Sequence, residues 1–281
     1  MKNLFLVCLS LAVIGLAATD LHAQLSVRIQ ADRDSYLLYE PVVYTVQLSN
    51  DGDIPLALSD GDTGINPWLN FLIFDSSERR VRSIPGKSMP DLILEPGESK
   101  ALAVNLIPLY QLRSTGQYDV KVSVKIPGGR TVLTSPLRFY IGKGQEIWSE
   151  SQLIDGVSRE YSLHLFIEGE QLYLYSRVEE PEQRLVYGTT RLGPLVGYTE
   201  PKAMFDKNGN FHVLHISNST VHTHSMLTAG GKLVKSDDYQ QIQGRAPQFV
   251  AQSDGSFKIG GAQSTSNQFE RPKLSEAQQG L

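Results

Sequence analysis

The chain has 281 residues and a net charge of −4, with 26 Lys and Arg against 30 Asp and Glu. Apolar residues make up 41% of it, enough to build a core and too many for a disordered chain. It carries no basic run, so the electrostatic footprint of a nucleic-acid binder is missing and no nucleic-acid partner is expected.

Residues 1–23 read as a secretory signal peptide. Lys2 supplies the positive start, an uncharged run extends from Asn3 to Thr19, and Leu21-His22-Ala23 offers a cleavage site before Gln24. At 17 residues the run is at the short limit for a spanning helix, and no basic flank follows it; retention as an anchor is the alternative. The expected location is periplasmic or extracellular, with no membrane insertion after cleavage. Cleavage leaves 258 residues and removes Cys8, the single cysteine. The mature chain then has no disulfide, no thiolate nucleophile and no Cys-bearing metal site, and no cofactor is expected.

From 24 to 144 apolar and polar residues alternate. Leu25, Val27 and Ile29 follow the rule, as do Tyr44, Val46 and Leu48, then Leu102, Val104 and Leu106, then Tyr118, Val120, Val122 and Val124. A period of two buries one face of a strand and wets the other, the pattern of antiparallel sheets. Asn50-Asp51-Gly52-Asp53, Pro96-Gly97, Thr115-Gly116 and Pro127-Gly128-Gly129 punctuate the runs with turns. Seven to nine short strands and no helix predict an immunoglobulin-like β-sandwich. Tyr36 to Pro41 (Y-x-x-x-E-P) and Gly116-Gln117-Tyr118-Asp119-Val120 resemble the lead-in and penultimate strand of bacterial exported sandwich modules, of the macroglobulin-like and proteinase-inhibitor-like types. The resemblance implies a fold and imports no activity. Tyr118, just past a turn glycine, is the candidate tyrosine corner.

From 145 to 262 the chain repeats itself. Pro201 to Val213 aligns without gaps on Pro247 to Ile259, with Asn208-Gly209 and Asp254-Gly255 at matching places ahead of Phe211 and Phe257. Those pairs accept the positive φ of a tight turn, so each copy predicts a hairpin. Leu163 to Leu174 is a looser third copy, which puts Gly169, Gly209 and Gly255 at spacings of 40 and 46 residues. That spacing suits four-stranded propeller blades, and the segments resemble blades of sialidase-type propellers. Two or three units are fewer than the roughly four that close a ring, which predicts incomplete propeller-like sheets with open edges. Residues 263–281 are Ser, Gln, Asn and charge with almost no apolar side chain, and a disordered tail is expected there.

Three chemistries were weighed. With Ser217 to Thr220 as a hairpin loop, His215, His222 and His224 would share one face and His212 would point away; three imidazoles could hold zinc, although half-exposed cross-strand histidines are the simpler reading. Asp51, Asp53, Asp60 and Asp62 crowd one end of the sandwich, as a calcium site or as a solvated acidic loop. Trp148, Tyr173, Tyr175, Tyr187 and Tyr198 gather in the first repeat, as a ligand platform or as packing at the domain junction. No nucleophile elbow, His-Glu-x-x-His or phosphate-binding glycine loop is present, and no catalytic, cofactor-binding or metal residue is assigned. The expectation is an exported, non-enzymatic binding or assembly protein of the cell envelope, contacting protein or glycan through sandwich loops and blade edges, with self-association through open edges as a further possibility. The alternative is a hydrolase or lyase acting on extracellular glycans at the blade face.

Overall fold

The computed structural model describes residues 25–60, 67–86, 89–197, 199–242 and 245–265. The signal-type segment, Asp62, Tyr198 and everything after Thr265 lie outside the described residues. Every regular element among the described residues is a β-strand.

The first ten strands are β1 (Leu25–Ala31), β2 (Ser35–Leu37), β3 (Val43–Asn50), β4 (Leu56–Leu58), β5 (Leu69–Asp75), β6 (Leu92–Leu94), β7 (Ser99–Asn105), β8 (Gly116–Lys125), β9 (Thr131–Leu133) and β10 (Leu137–Gly142). They form a β1-β3-β7 sheet and a β2-β10-β8-β5 sheet with β9 added on β8, and β4 pairs with β6. The alternation predicted from sequence is the alternation observed. Tyr44, Val46 and Leu48 of β3 and Tyr118, Val120, Val122 and Val124 of β8 are buried in one core around Trp68. Phe139 is the hub of its aromatic part: Tyr118 stacks on it at 5.3 Å, while Tyr36 and Tyr44 meet it edge-on at 6.0 Å each. The Tyr118 hydroxyl donates to the Ser114 carbonyl at 2.8 Å and ties the preceding turn to the sheet, the role the turn glycine suggested.

The remaining strands are β11 (Gln145–Ile154), β12 (Val157–Glu168), β13 (Gln171–Glu180), β14 (Leu185–Pro194), β15 (Lys202–Phe205), β16 (Phe211–Asn218), β17 (Val221–Leu227), β18 (Leu233–Gln241), β19 (Gln248–Ala251), β20 (Phe257–Gly260) and β21 (Ala262–Ser264). They build three antiparallel sheets in a propeller-like arrangement: β11-β12-β13-β14, β15-β16-β17-β18-β21, and the hairpin β19-β20. The two aligned repeats are equivalent hairpins. Phe205 pairs with Phe211 and Ala251 with Phe257, and the turns carry matching bonds, Gly209 N to Asp206 O and Gly255 N to Gln252 O, both 3.0 Å. The looser copy is not equivalent, because β12 and β13 are the central strands of their sheet whereas β15 and β19 open theirs. Tyr239 and Gln240 of β18 pair with Ser264 and Gln263, so ordered ladder runs past Ala262, where the sequence pattern led us to expect a tail to begin.

Between the first two of these sheets Trp148 stacks on Phe211 at 5.5 Å and Phe205 on Phe211 at 5.0 Å, and Tyr161, Leu163, Leu174 and Leu192 complete a second core. No ladder joins a strand before Gly142 to one after Gln145 among the described residues. The two cores meet through a small third cluster of Leu37, Phe166, Tyr175 and Tyr173. Glycine is required where they meet. A Cβ on Gly142 would run into the Phe166 ring, and Gly144, at φ +72°, has the Leu165 carbonyl oxygen 2.9 Å from where a Cβ would sit. Gly144→Ala is therefore expected to destabilise the protein by roughly 1–3 kcal/mol, since it combines left-handed backbone with a clash against main chain; chemical denaturation would measure it.

Candidate functional site

Two polar assemblies stand out, one at the junction of the two cores and one beneath the β19–β20 hairpin.

The junction is centred on Glu168, the last residue of β12, whose side chain is 9% exposed. Its Oε2 accepts from Arg191 at 2.7 Å, and its Oε1 accepts from Arg191 at 3.0 Å, from Arg33 at 3.3 Å and from the Tyr175 hydroxyl in a short contact. Arg33 comes from the loop between β1 and β2 and also donates to Glu40 at 2.7 Å and to Tyr175 at 3.1 Å. Glu40, 4% exposed at its side chain, uses its second oxygen to accept the Leu37 amide at 3.0 Å. The residues of the Y-x-x-x-E-P segment thus hold their own turn and reach the neighbouring unit. Arg177 donates to the Leu38 carbonyl at 2.8 Å, a second strap across the junction.

The electrostatics follow from burial. Desolvation pushes the Glu40 carboxyl above the usual carboxylate range, and Arg33 opposes that shift without cancelling it. Desolvation also works against the charge on Arg33, but Glu40 outweighs it and holds the guanidinium above its ordinary value. The Tyr175 hydroxyl is pushed up by burial and by the two carboxylates, so it is a fixed donor at any physiological pH. Beside the network opens a cleft of about 730 Å³ whose lining includes Arg33, Arg191, Glu168, Tyr173, Ile29 and Leu137. Arg191 lies 3.7 Å over the Tyr173 ring and occupies that aromatic face.

The tyrosines expected to serve as either platform or packing divide accordingly. Tyr175 is fully buried against Leu37 and Phe166, and Tyr173 packs half-buried beside it, so both belong to the junction. Leu172 and Leu174 face the opposite way into the second core, as the alternation required. Trp148 is core; Tyr187 is exposed, with Arg159 over its ring and its hydroxyl bonded to Glu180 at 2.9 Å.

The histidine face differs from the sequence expectation. Ile216 pairs with His222 and Asn218 with Val221, so Ser217 is bulged out and the two central turn residues are Ser219 and Thr220, which moves the register by one residue. That one-residue slip changes the set. His212, His222 and His224 share a face, and His215 lies on the other, with Val213 and Phe211 toward the second core. Among the described residues no group of three or more His, Asp, Glu or Cys is arranged to hold a metal ion. Instead, His212 Nε2 meets Asp206 Oδ2 at 3.3 Å, and His212 Nδ1 meets His224 Nε2 at 2.9 Å. If His212 donates to the carboxylate, it must accept from His224, which leaves His224 Nδ1 as a bare acceptor; that atom is buried without a partner. Phe249 and Phe257 of the last hairpin cap these rings, at 5.5 Å from His224 and 5.8 Å from His212. The Asp206–His212–His224 relay therefore ends under hydrophobic cover.

Of the four aspartates at the sandwich end, Asp62 lies outside the described residues. Asp51 and Asp53 are exposed, and Asp60 accepts the Trp68 amide at 2.8 Å. The hairpin aspartate Asp206 is a turn residue: its Oδ1 accepts the Asn208 and Asn210 amides at 2.9 Å each. Burial works against its charge, yet Asn210 and His212 hold its carboxyl below the usual range.

With this geometry in hand, comparison with known proteins adds little. No family model matches the chain, and no curated protein matches it. Among solved structures it is similar to Spo0M, a sporulation control protein of Bacillus subtilis, at 12% identity over 59% of this chain and 83% of that one, with a TM-score of 0.30. It is also similar to a Salmonella enterica structure of the SafA pilin with the SafB chaperone, at 10% identity over 76% of this chain and 96% of that one, with a TM-score of 0.25. At these scores neither likeness bears on function.

Two predictions follow from the site. Glu168→Gln takes the counter-charge from half-buried Arg191 and one of two carboxylates from Arg33, which keeps Glu40, and a loss of roughly 2 kcal/mol is expected in denaturant titration, against about 1 kcal/mol for Tyr175→Phe. The second concerns acid. Burial lowers His164 and His224 from 6.5 to about 4. Because their folded values are depressed, the unfolded chain binds the protons first; their contribution is complete above pH 6.5 and is lost as pH falls toward 4. Unfolding free energy is expected to fall through that window by up to about 1.4 kcal/mol per pH unit for each histidine, with Tm falling alongside it, and His224→Phe is expected to flatten the slope.

Proposed function

We propose that the protein is an exported, non-enzymatic binding or assembly protein of the cell envelope. In this reading it is built from an immunoglobulin-like sandwich module and incomplete sialidase-type blades, and it contacts a protein or glycan through exposed strand edges. The observation that carries the reading is the pairing of a rigidly clamped body with an unpaired edge. Glu168 ties the first blade sheet to the sandwich, while β11, ten residues long, pairs among the described residues only with β12. Export rests on the pattern of residues 1–23.

The competing reading, a glycan hydrolase or lyase, needs a carboxyl free to move a proton in a cleft. Two carboxylates line the junction cleft: Glu168 has both oxygens occupied by Arg33, Arg191 and Tyr175, and Asp34 is an exposed loop residue that accepts from the Ser35 hydroxyl at 3.1 Å. The test is a pulldown with the mature protein from its own cell-envelope fraction, run beside a turnover assay on a glycan panel. A recovered partner at near-stoichiometric yield with no glycan turnover is expected; turnover without a partner would overturn the reading.

A further inference from the structure

The first blade sheet ends on β11, and seven of its ten residues are exposed. Leu153 is 73% exposed and Ile147 is 37% exposed. No hydrogen bond from outside the sheet reaches the β11 main chain among the described residues, so one row of its N–H and C=O groups faces solvent. Such an edge is a template for one more strand.

Charge selects the strand it would take. Gln145 to Ile154 contains Glu146 and Glu150 and no Lys or Arg. On the face carrying Glu146, Ser149, Ser151 and Leu153, the next two strands add Glu160 and Glu179, which pair with each other in register. Partial burial and then repulsion from Glu179 and Glu146 hold the Glu160 carboxyl above its ordinary value, so these acids already strain against one another. Of the cations near these acids, Arg159 donates to the Ala229 carbonyl and covers Tyr187, Arg177 is buried against Leu38, and exposed Lys143 lies by His164 at the Glu146 end of the edge. A second copy laid along this edge would set glutamates near glutamates. A lysine- or arginine-bearing strand relieves the repulsion instead.

We infer that the free edge of β11 binds an extended, basic polypeptide segment by strand addition, with an apolar side chain set against Leu153. The inference rests on the binding-protein reading and names the partner chemistry of one of its edges. The bulge between Glu146 and Trp148 limits the usable ladder to the stretch from Trp148 to Ile154.

The test is fluorescence anisotropy of the purified protein with three labelled ten-residue peptides. One alternates Lys with Val, one replaces every Lys by Glu, and one keeps the Lys-Val sequence but carries N-methyl groups on alternate amides. Binding of the first is expected, weakened roughly tenfold by raising salt from 50 to 500 mM or by the Glu146→Lys/Glu150→Lys double variant, with the other two peptides binding at least about tenfold more weakly. Equal binding of the N-methylated peptide would reduce the effect to charge alone and overturn strand addition. Concentration-dependent dimers in sedimentation that disappear in the double variant would assign the edge to a second copy and overturn it too. Failure here leaves the pulldown result standing, so the two readings fail separately.

Discussion

The architecture hangs on one buried carboxylate. Two β units with separate cores, joined by Gly142-Lys143-Gly144, would tumble independently unless their interface were held, since interfaces of this kind default to motion. Apolar contact at the junction is small, only Leu37, Phe166, Tyr175 and Tyr173. What fixes the geometry is direction: Glu168 receives three donors from two units, and each donor is itself oriented by a second partner. A buried ion network adds less net stability than its contacts suggest, because desolvation offsets Coulomb attraction, but it tolerates few alternative arrangements. The relative placement of the sheets, and with it the exposure of β11, follows from that intolerance.

Most of the fold was legible in the sequence because strand periodicity is a local signal. The alternations in β3 and β8 and the Asn-Gly and Asp-Gly turns each lie within a dozen residues. Even Tyr118 announced its role through the neighbouring glycine. Errors arose where one residue decided the outcome. The bulge at Ser217 has no signature in Ile216-Ser217-Asn218, and by shifting register it exchanges His215 for His212 on the face shared with His222 and His224. The looser repeat at Leu163 to Leu174 shared the hairpin pattern but not the place in its sheet, since the pattern reports strand–turn–strand and not order.

The junction was far less legible. Arg33 and Glu168 are 135 residues apart, and each looks like a solvated loop or turn residue in its own context. The one usable clue was the segment from Tyr36 to Pro41, whose Glu40 turned out to be buried and paired; a glutamate amid Tyr, Leu and Pro is an invitation to ask for its partner. The histidines were conspicuous by composition, yet their environment is hydrophobic cover from Phe249 and Phe257, which sequence adjacency could not show.

The parallel pairing of β2 with β10 has a consequence for the order of assembly. Tyr36 aligns with Ile141 and Leu37 with Gly142, so the strand that carries Leu37 and Leu38 to the junction cannot settle until the last strand of the sandwich exists. Closing a loop of about a hundred residues is slow relative to hairpin formation, whereas the blade sheets are made of neighbours in sequence apart from β21, which joins β18 across the β19–β20 hairpin. The blades can therefore form locally and wait. Their docking surface on the sandwich is completed only at the end of that long closure, which makes the union of the two units the final and most cooperative event in folding.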